Sequence, residues 1–177
     1  MNILAFAASH SCQSINKQLV IYAASLLQQQ AGITVDILDL NDFILPVYSA
    51  DLEEAHGIPE PAQQFYQKIG AAEGLLISFA EHNGLYTAVF KNLMDWMSRI
   101  DVKLYQNKPT VMLATSPGPG GAQRVLGVAS DSAAYFGADL RASLSVPEFY
   151  DQFDQQAGCL TNAELNHALQ QAVANLV

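Results

Sequence analysis

The chain has 177 residues, half of them hydrophobic, and a formal net charge of -9. That suits one domain with one sizeable core, and no segment has the roughly 18 uninterrupted apolar residues needed to span a bilayer. The acidic balance disfavours nucleic acid as a partner. Two cysteines, Cys12 and Cys159, give neither a metal spacing nor a disulfide framework, which points to free thiols in a reducing cytoplasm.

Residues 2 to 7, NILAFA, read as a first strand; the N-terminus is too short for a secretory leader and lacks a basic lead. A polar loop follows, Ser9 to Ser14, and then a helix from about Ile15 to Gln30, with Leu19, Ala23 and Leu26 on one face and Gly32 placed as its C-terminal cap. Ile33 to Ile37 alternates apolar and polar as a second strand. A long connection, roughly Asn41 to Glu60, is rich in Pro, Asp and Glu. A helical pattern returns over Pro61 to Ala72.

Gly74 to Phe79 is a continuous apolar run. It stops at the polar turn Ala80-Glu81-His82-Asn83-Gly84, and a helix begins with Val89, Phe90, Leu93, Trp96 and Met97 at a 3.6-residue period. Thr110 to Thr115 is another apolar strand, followed by Ser116-Pro117-Gly118-Pro119-Gly120-Gly121 and a helix from about Ala122 to Phe136. Leu140 to Val146 alternates again. An aromatic-rich loop, Phe149 to Phe153, leads to Thr161-Asn162-Ala163-Glu164, a capping-box pattern before a last helix to about Asn175.

Strands alternate with helices five times, which predicts a parallel sheet with helices on both faces, a three-layer sandwich. Strands one, three and four are continuously apolar and belong inside; two and five alternate and belong at the edges. Right-handed crossovers then give the order 2-1-3-4-5. Connections leave strands one and three in opposite directions, and ligands bind at such a switch point.

Three loops therefore lie together at one edge of the sheet. The first carries hydroxyls at Ser9, Ser11 and Ser14, beside His10, Ile15 and the amide of Asn16, where a helix begins. Short donors and unpaired helix N–H groups suit a phosphate; Ser14 equally suits a plain N-cap. The first loop has no Walker pattern and no G-x-G-x-x-G, which disfavours ATP and ordinary dinucleotide sites. The second loop, Ala80 to Gly84, lets backbone approach a flat ligand, with Glu81 otherwise a solvated carboxylate. The third combines Pro restraint with Gly freedom at Ser116, Pro117, Gly118 and Gly121. His56 and His167 have no partner at a metal spacing, and no metal site is expected.

The loops resemble those of the NADPH-dependent FMN reductase family of flavodoxin-like proteins. After the first strand, the Ser, Ser and Asn of that family's Gly-Ser-x-Arg-x-x-Ser-x-Asn match Ser9, Ser14 and Asn16; Ala8 and Ser11 replace the Gly and the Arg. After the third, Glu81, Asn83, Gly84, Lys91, Asn92, Asp95 and Trp96 match Pro-Glu-Tyr-Asn, Gly and Lys-Asn-x-x-Asp-Trp, with Ala80 for Pro and His82 for Tyr. Ser116 to Gly121 is similar to Ser-Pro-Gly-x-Gly-Gly. The resemblance implies a flavodoxin-like fold with FMN at the switch point, its phosphate in the first loop and its ring against the other two. It implies an oxidoreductase that passes hydride from NAD(P)H through FMN to a small-molecule acceptor such as a quinone, an azo compound, a metal oxyanion or a free flavin, with no protein acid or base strictly required. Relatives of this kind are homodimers or homotetramers, with the flavin near a subunit interface. An electron-carrying flavodoxin is the alternative; a low-molecular-weight phosphatase is disfavoured because no Arg accompanies Cys12. Since Ser11 stands in place of the family's Arg, NADH is expected to serve at least as well as NADPH, unless Arg124, Arg99 or a basic residue of a second subunit supplies the missing charge.

Overall fold

A computed structural model describes all residues, Met1–Val177. Five strands, β1 (Asn2–Ala8), β2 (Thr34–Leu38), β3 (Gly74–Phe79), β4 (Lys108–Thr115) and β5 (Ala138–Val146), pair in parallel in the order β2-β1-β3-β4-β5. This is the expected order, and the burial explains why it was readable. Every residue of β3 is buried, and six of the seven in β1, whereas the edge strand β5 alternates along most of its length and β2 buries only Leu38.

The pleat divides β1 between two cores. Leu4, Phe6 and Ala8 face one; Ile3, Ala5 and Ala7 face the other. The first core is closed by α3 (Glu60–Ala71), α4 (Ala88–Met97) and α5 (Gln123–Ser132), through side chains such as Phe65, Phe90 and Val125. Phe6 meets Phe65 edge to face at 5.1 Å, a geometry that aromatic quadrupoles favour. The second core is closed by α1 (Ile15–Gln28) and α7 (Ala163–Ala174), through Leu19, Ala23, Leu27 and Leu169. No helix is long and apolar enough to cross a membrane.

Several local expectations are corrected. The connection after β2 holds a 3-10 turn, Leu40–Asp42, and a helix, α2 (Ala50–His56). Ser49 caps α2 by accepting from Leu52 N at 3.1 Å, but the helix buries no residue, so it has no apolar period to find. Helix α1 stops at Gln28, ahead of Gly32, which turns the chain toward β2 at φ 82°. Helix α5 ends at Ser132 and the chain reaches Gly137 through turns. The aromatic-rich loop contains a single helical turn, α6 (Phe149–Gln152), and a hairpin between Phe153–Asp154 and Cys159–Leu160. Asn162, rather than Thr161, caps α7: its Oδ1 accepts from the N–H of Glu164 and Leu165 at 3.0 and 3.1 Å, while the Thr161 hydroxyl donates to Gln152 O. The second polar loop is also more ordered than a turn. Glu81–His82 pairs with Leu85–Tyr86, and Asn83 and Gly84, at φ 54° and 80°, form the tight connection that such a hairpin prefers.

Candidate active site

The carboxyl ends of β1, β3 and β4 open onto a crevice of about 250 Å³, and all three polar loops reach it. In the first, each hydroxyl accepts a local backbone N–H: Ser9 Oγ from Ser11 at 3.3 Å, Ser11 Oγ from Gln13 at 3.3 Å, and Ser14 Oγ from Lys17 at 3.2 Å. Ser14 is thus the N-cap of α1. A hydroxyl that accepts still has its own O–H to donate. The N–H groups of Ile15 and Asn16, in the first turn, have no acceptor within the chain, as helix geometry requires. Three O–H donors and the positive end of a helix therefore converge where a phosphate would sit.

No cation joins them. Lys17 points away and ion-pairs with Asp39, which also accepts from the backbone and side chain of Asn41. Burial by itself would raise the Asp39 carboxyl, but these hydrogen bonds outweigh it and hold the group below the usual carboxylate range. An anion here would be held by neutral donors and the helix dipole.

Asn16, expected among the phosphate donors, lines the crevice but is only 2% exposed, and its side chain already makes three bonds within the chain. Nδ2 donates to Thr115 O at 3.0 Å; Oδ1 accepts from Thr115 N at 3.0 Å and from Ser78 Oγ at 2.8 Å. Asn16 pins the first loop to the ends of β3 and β4. A combined replacement of Ser14 and Asn16 would report folding as much as ligand binding. Ser14→Ala alone separates the two: the lost cap should cost about 1 kcal/mol of stability, and losing a hydrogen bond to a charged phosphate about 1.5–3 kcal/mol of affinity. Urea unfolding of the apoprotein set against FMN titration measures both, and equal losses would reduce Ser14 to a cap.

Two further buried donors close the frame. Thr87 caps α4 by accepting from Phe90 N at 3.3 Å, and its hydroxyl donates to Ala8 O at 2.9 Å. Thr115 donates to Val146 O at 2.6 Å.

From the second loop, Ala80, Glu81 and His82 line the crevice. Glu81 is half-buried, and one of its two oxygens is already committed: Oε2 accepts from Val125 N at 3.0 Å. The residue just before α5, Ala122, is left-handed and offers no side-chain cap, so Glu81 supplies a negative partner for that helix end from outside. Asn83 and Gly84 sit at the far end of the hairpin and do not line the crevice.

From the third loop, Ser116 and Pro117 line the crevice, while Gly118 and Gly121 do not. Gly118 O accepts from Gly121 N and Glu148 N at 3.2 and 3.0 Å, and Gly121 O accepts from Ser145 Oγ at 2.7 Å. These carbonyls fold the loop onto the end of β5, and at Gly121 the lack of a side chain lets the chain pack closely on Ser145 and Pro147. His10 is exposed and turns toward a neighbouring cleft.

Three lining residues were missed: Gln13, Thr115 and Tyr150. Thr115 ends an apolar strand and reads as its last residue. Tyr150 is 58% exposed and comes from beyond β5, where nothing local links it to the first loop.

The neighbouring cleft, of about 430 Å³, runs from His10 past Phe43, Leu45 and Val47 to Val89 and Asn92. Its wall is held by α4. Asn92 Nδ2 and Trp96 Nε1 donate to Pro46 O at 3.0 and 2.8 Å, and Asn92 Oδ1 accepts from Tyr48 N at 2.9 Å. The Asn and Trp of the Lys-Asn-x-x-Asp-Trp stretch thus fasten the 46–48 segment, while Lys91 and Asp95 pair at i,i+4 in solvent.

The donor set has the chemistry that the phosphate of FMN requires, and Ala80, His82 and Tyr150 line the same crevice. Residues 1–150 match the model of the NADPH-dependent FMN reductase family. A 2-hydroxy-1,4-benzoquinone reductase of a Burkholderia species is 34% identical over 143 residues, 80% of this chain and 73% of that one. A probable NADPH:quinone oxidoreductase of rice is 27% identical over 183 residues, 99% of this chain and 90% of that one. Among solved structures, a flavoenzyme NAD(P)H:(acceptor) oxidoreductase of Paracoccus denitrificans superposes with a TM-score of 0.76 at 23% identity, covering 99% of this chain and 94% of that one.

Proposed function

The chain belongs to the NADPH-dependent FMN reductase family, and from that membership we propose that it holds FMN in the crevice between residues 9–16, 80–82 and 115–117 and delivers electrons from NAD(P)H to a quinone. The observation that carries this reading is the first loop: three hydroxyls and the free N–H groups of Ile15 and Asn16 meet at the switch point of the sheet. Bound FMN supplies the chemistry, taking hydride from the reduced nicotinamide and passing the electrons on. The protein's part is to bind and orient. Ser9, Ser11 and Ser14 would fix the phosphate, Ser116 and Pro117 would border the ribityl chain, and Ala80 and His82 would border the ring. Asn16 and Glu81 act behind them by holding the three loops at fixed separations.

One phosphate loop without a dinucleotide fingerprint supports FMN over FAD. The quinone class rests on the relatives' activities and on the apolar cleft beside His10, walled by Phe43, Leu45 and Val47. Arg99 is committed to Glu53 at 2.9 Å and offers no free charge to a 2′-phosphate, so NADH should be used at least as well as NADPH unless Arg124 reaches that phosphate. Ile44 and Val47 are 83% and 84% exposed beside the cleft, which supports a homodimer or homotetramer meeting there. Two free cysteines fit a reducing cytoplasm. Steady oxidation of NADH or NADPH by the holoprotein with a quinone as acceptor tests the proposal; a holoprotein that is reduced chemically but never oxidises a nicotinamide would be a carrier instead.

A further inference from the structure

The chain has eight Lys and Arg residues. Lys17, Lys68, Lys91, Arg99 and Arg141 each pair with a carboxylate. Lys103 and Lys108 donate to backbone carbonyls. Arg124 is exposed and donates to no group in the chain. Its side chain lies against Gly84, where an added Cβ would come 3.5 Å from its Cδ. It stands one helical turn before Val128 on α5, and Val128 forms one wall of a cleft of about 550 Å³ whose floor includes Leu85 and Tyr86. His82 lines both this cleft and the flavin crevice, so the two adjoin at that side chain, and Arg124 stands at the cleft's margin, beside Gly84 and Val128, rather than in its lining.

We propose that this cleft takes the adenosine diphosphate portion of the nicotinamide dinucleotide, with Arg124 as the partner of its diphosphate. The inference rests on the oxidoreductase reading above. Leu85, Tyr86, Ala88 and Val128 offer an apolar surface for a base. A guanidinium offers a planar fork of donors that fits phosphate oxygens. The chain's charge of -9 repels a polyanion at long range, so capture requires a local cation. Arg124 is the one without a competing acceptor; Lys91, at the same cleft, is held by both oxygens of Asp95 at 2.6 and 2.9 Å. A single free guanidinium suits the diphosphate common to both cofactors. The 2′-phosphate of NADPH adds charge that no second free cation in the chain would meet, which leaves NADH and NADPH on similar terms.

The test uses holoprotein with Arg124, Arg124→Ala and Arg124→Lys, one quinone, and each nucleotide in turn. Arg124→Ala should raise KM for NADH and NADPH alike by about tenfold, with kcat and FMN affinity unchanged, as loss of uniform binding requires. Arg124→Lys should recover part of the loss, and the difference should shrink at high salt. Calorimetric titration of the holoproteins with ADP-ribose should show the same weakening without turnover. Unchanged KM values and unchanged ADP-ribose affinity would overturn the proposal. A rise confined to NADPH would overturn it as well, placing the contact at the 2′-phosphate. If the wild-type protein oxidises neither nucleotide, the oxidoreductase reading itself fails, and the ADP-ribose titration still decides the role of Arg124.

Discussion

Asn16→Ala should destabilise the protein by roughly 3–5 kcal/mol, because it strips partners from several buried groups at once, each costing about 1–3 kcal/mol when left unsatisfied. The N–H and C=O of Thr115 and the hydroxyl of Ser78 all bond to this one side chain. Asn16→Asp should not rescue it. A carboxylate accepts from Thr115 N and Ser78 Oγ but cannot donate to Thr115 O, and it carries a charge into a site that is 2% exposed. Urea denaturation of the apoproteins measures both. A loss below about 1 kcal/mol, no more than an ordinary cap is worth, would show that the first loop does not depend on the bridge. A loss of the expected size would carry FMN affinity down with it, since the first and third loops would no longer be held to each other.

Gly121→Ala should be nearly as damaging, and by a different route. Gly121 sits at φ +55°, a left-handed conformation that costs an L-residue roughly 1–2 kcal/mol. An added Cβ would also come 2.2 Å from Ser145 Oγ and 3.0 and 3.1 Å from the backbone N and Cα of Pro147. The serine can rotate only by giving up its bond to Gly121 O at 2.7 Å, and the backbone of Pro147 has nowhere to go. The strain and the overlap together should exceed about 3 kcal/mol. Gly118→Ala is the control: an added Cβ there meets nothing within 4 Å, and φ is not positive. Thermal unfolding of the pair should show a large drop for Gly121→Ala and little change for Gly118→Ala. Similar melting temperatures would contradict the packing assigned to the third loop.

These two residues show where sequence reasoning was sufficient and where it stopped. The sheet order was legible because burial on both faces leaves a continuous apolar run in β1, β3 and β4, whereas an edge leaves alternation in β2 and β5. The three loops were legible as a group because parallel connectivity places them together. What each polar residue does inside the group was not. Asn16 has the residue type and the position of a phosphate donor, but its partners lie on β3 and β4, 62 and 99 residues away. Glu81 bonds Val125 N, 44 residues on. Gly121 could be free for a ligand or packed on its own chain, and only the place of Ser145 and Pro147 decides. Tyr150 reaches the crevice from beyond the last sheet strand, and α2 is a helix without a buried face. Each turns on a long-range contact or on missing periodicity, neither of which local pattern reports.

The crevice between the first, second and third loops is proposed to bind FMN for nicotinamide oxidation. Titrating the folded apoprotein with FMN and then adding NADH anaerobically, while following the flavin's visible absorbance, tests it most directly. One FMN per chain should bind, weakened by Ser14→Ala, and the visible band should bleach on addition of NADH and return with a quinone. No FMN uptake by folded protein, preference for FAD, or bound FMN that NADH and NADPH both fail to bleach would contradict it.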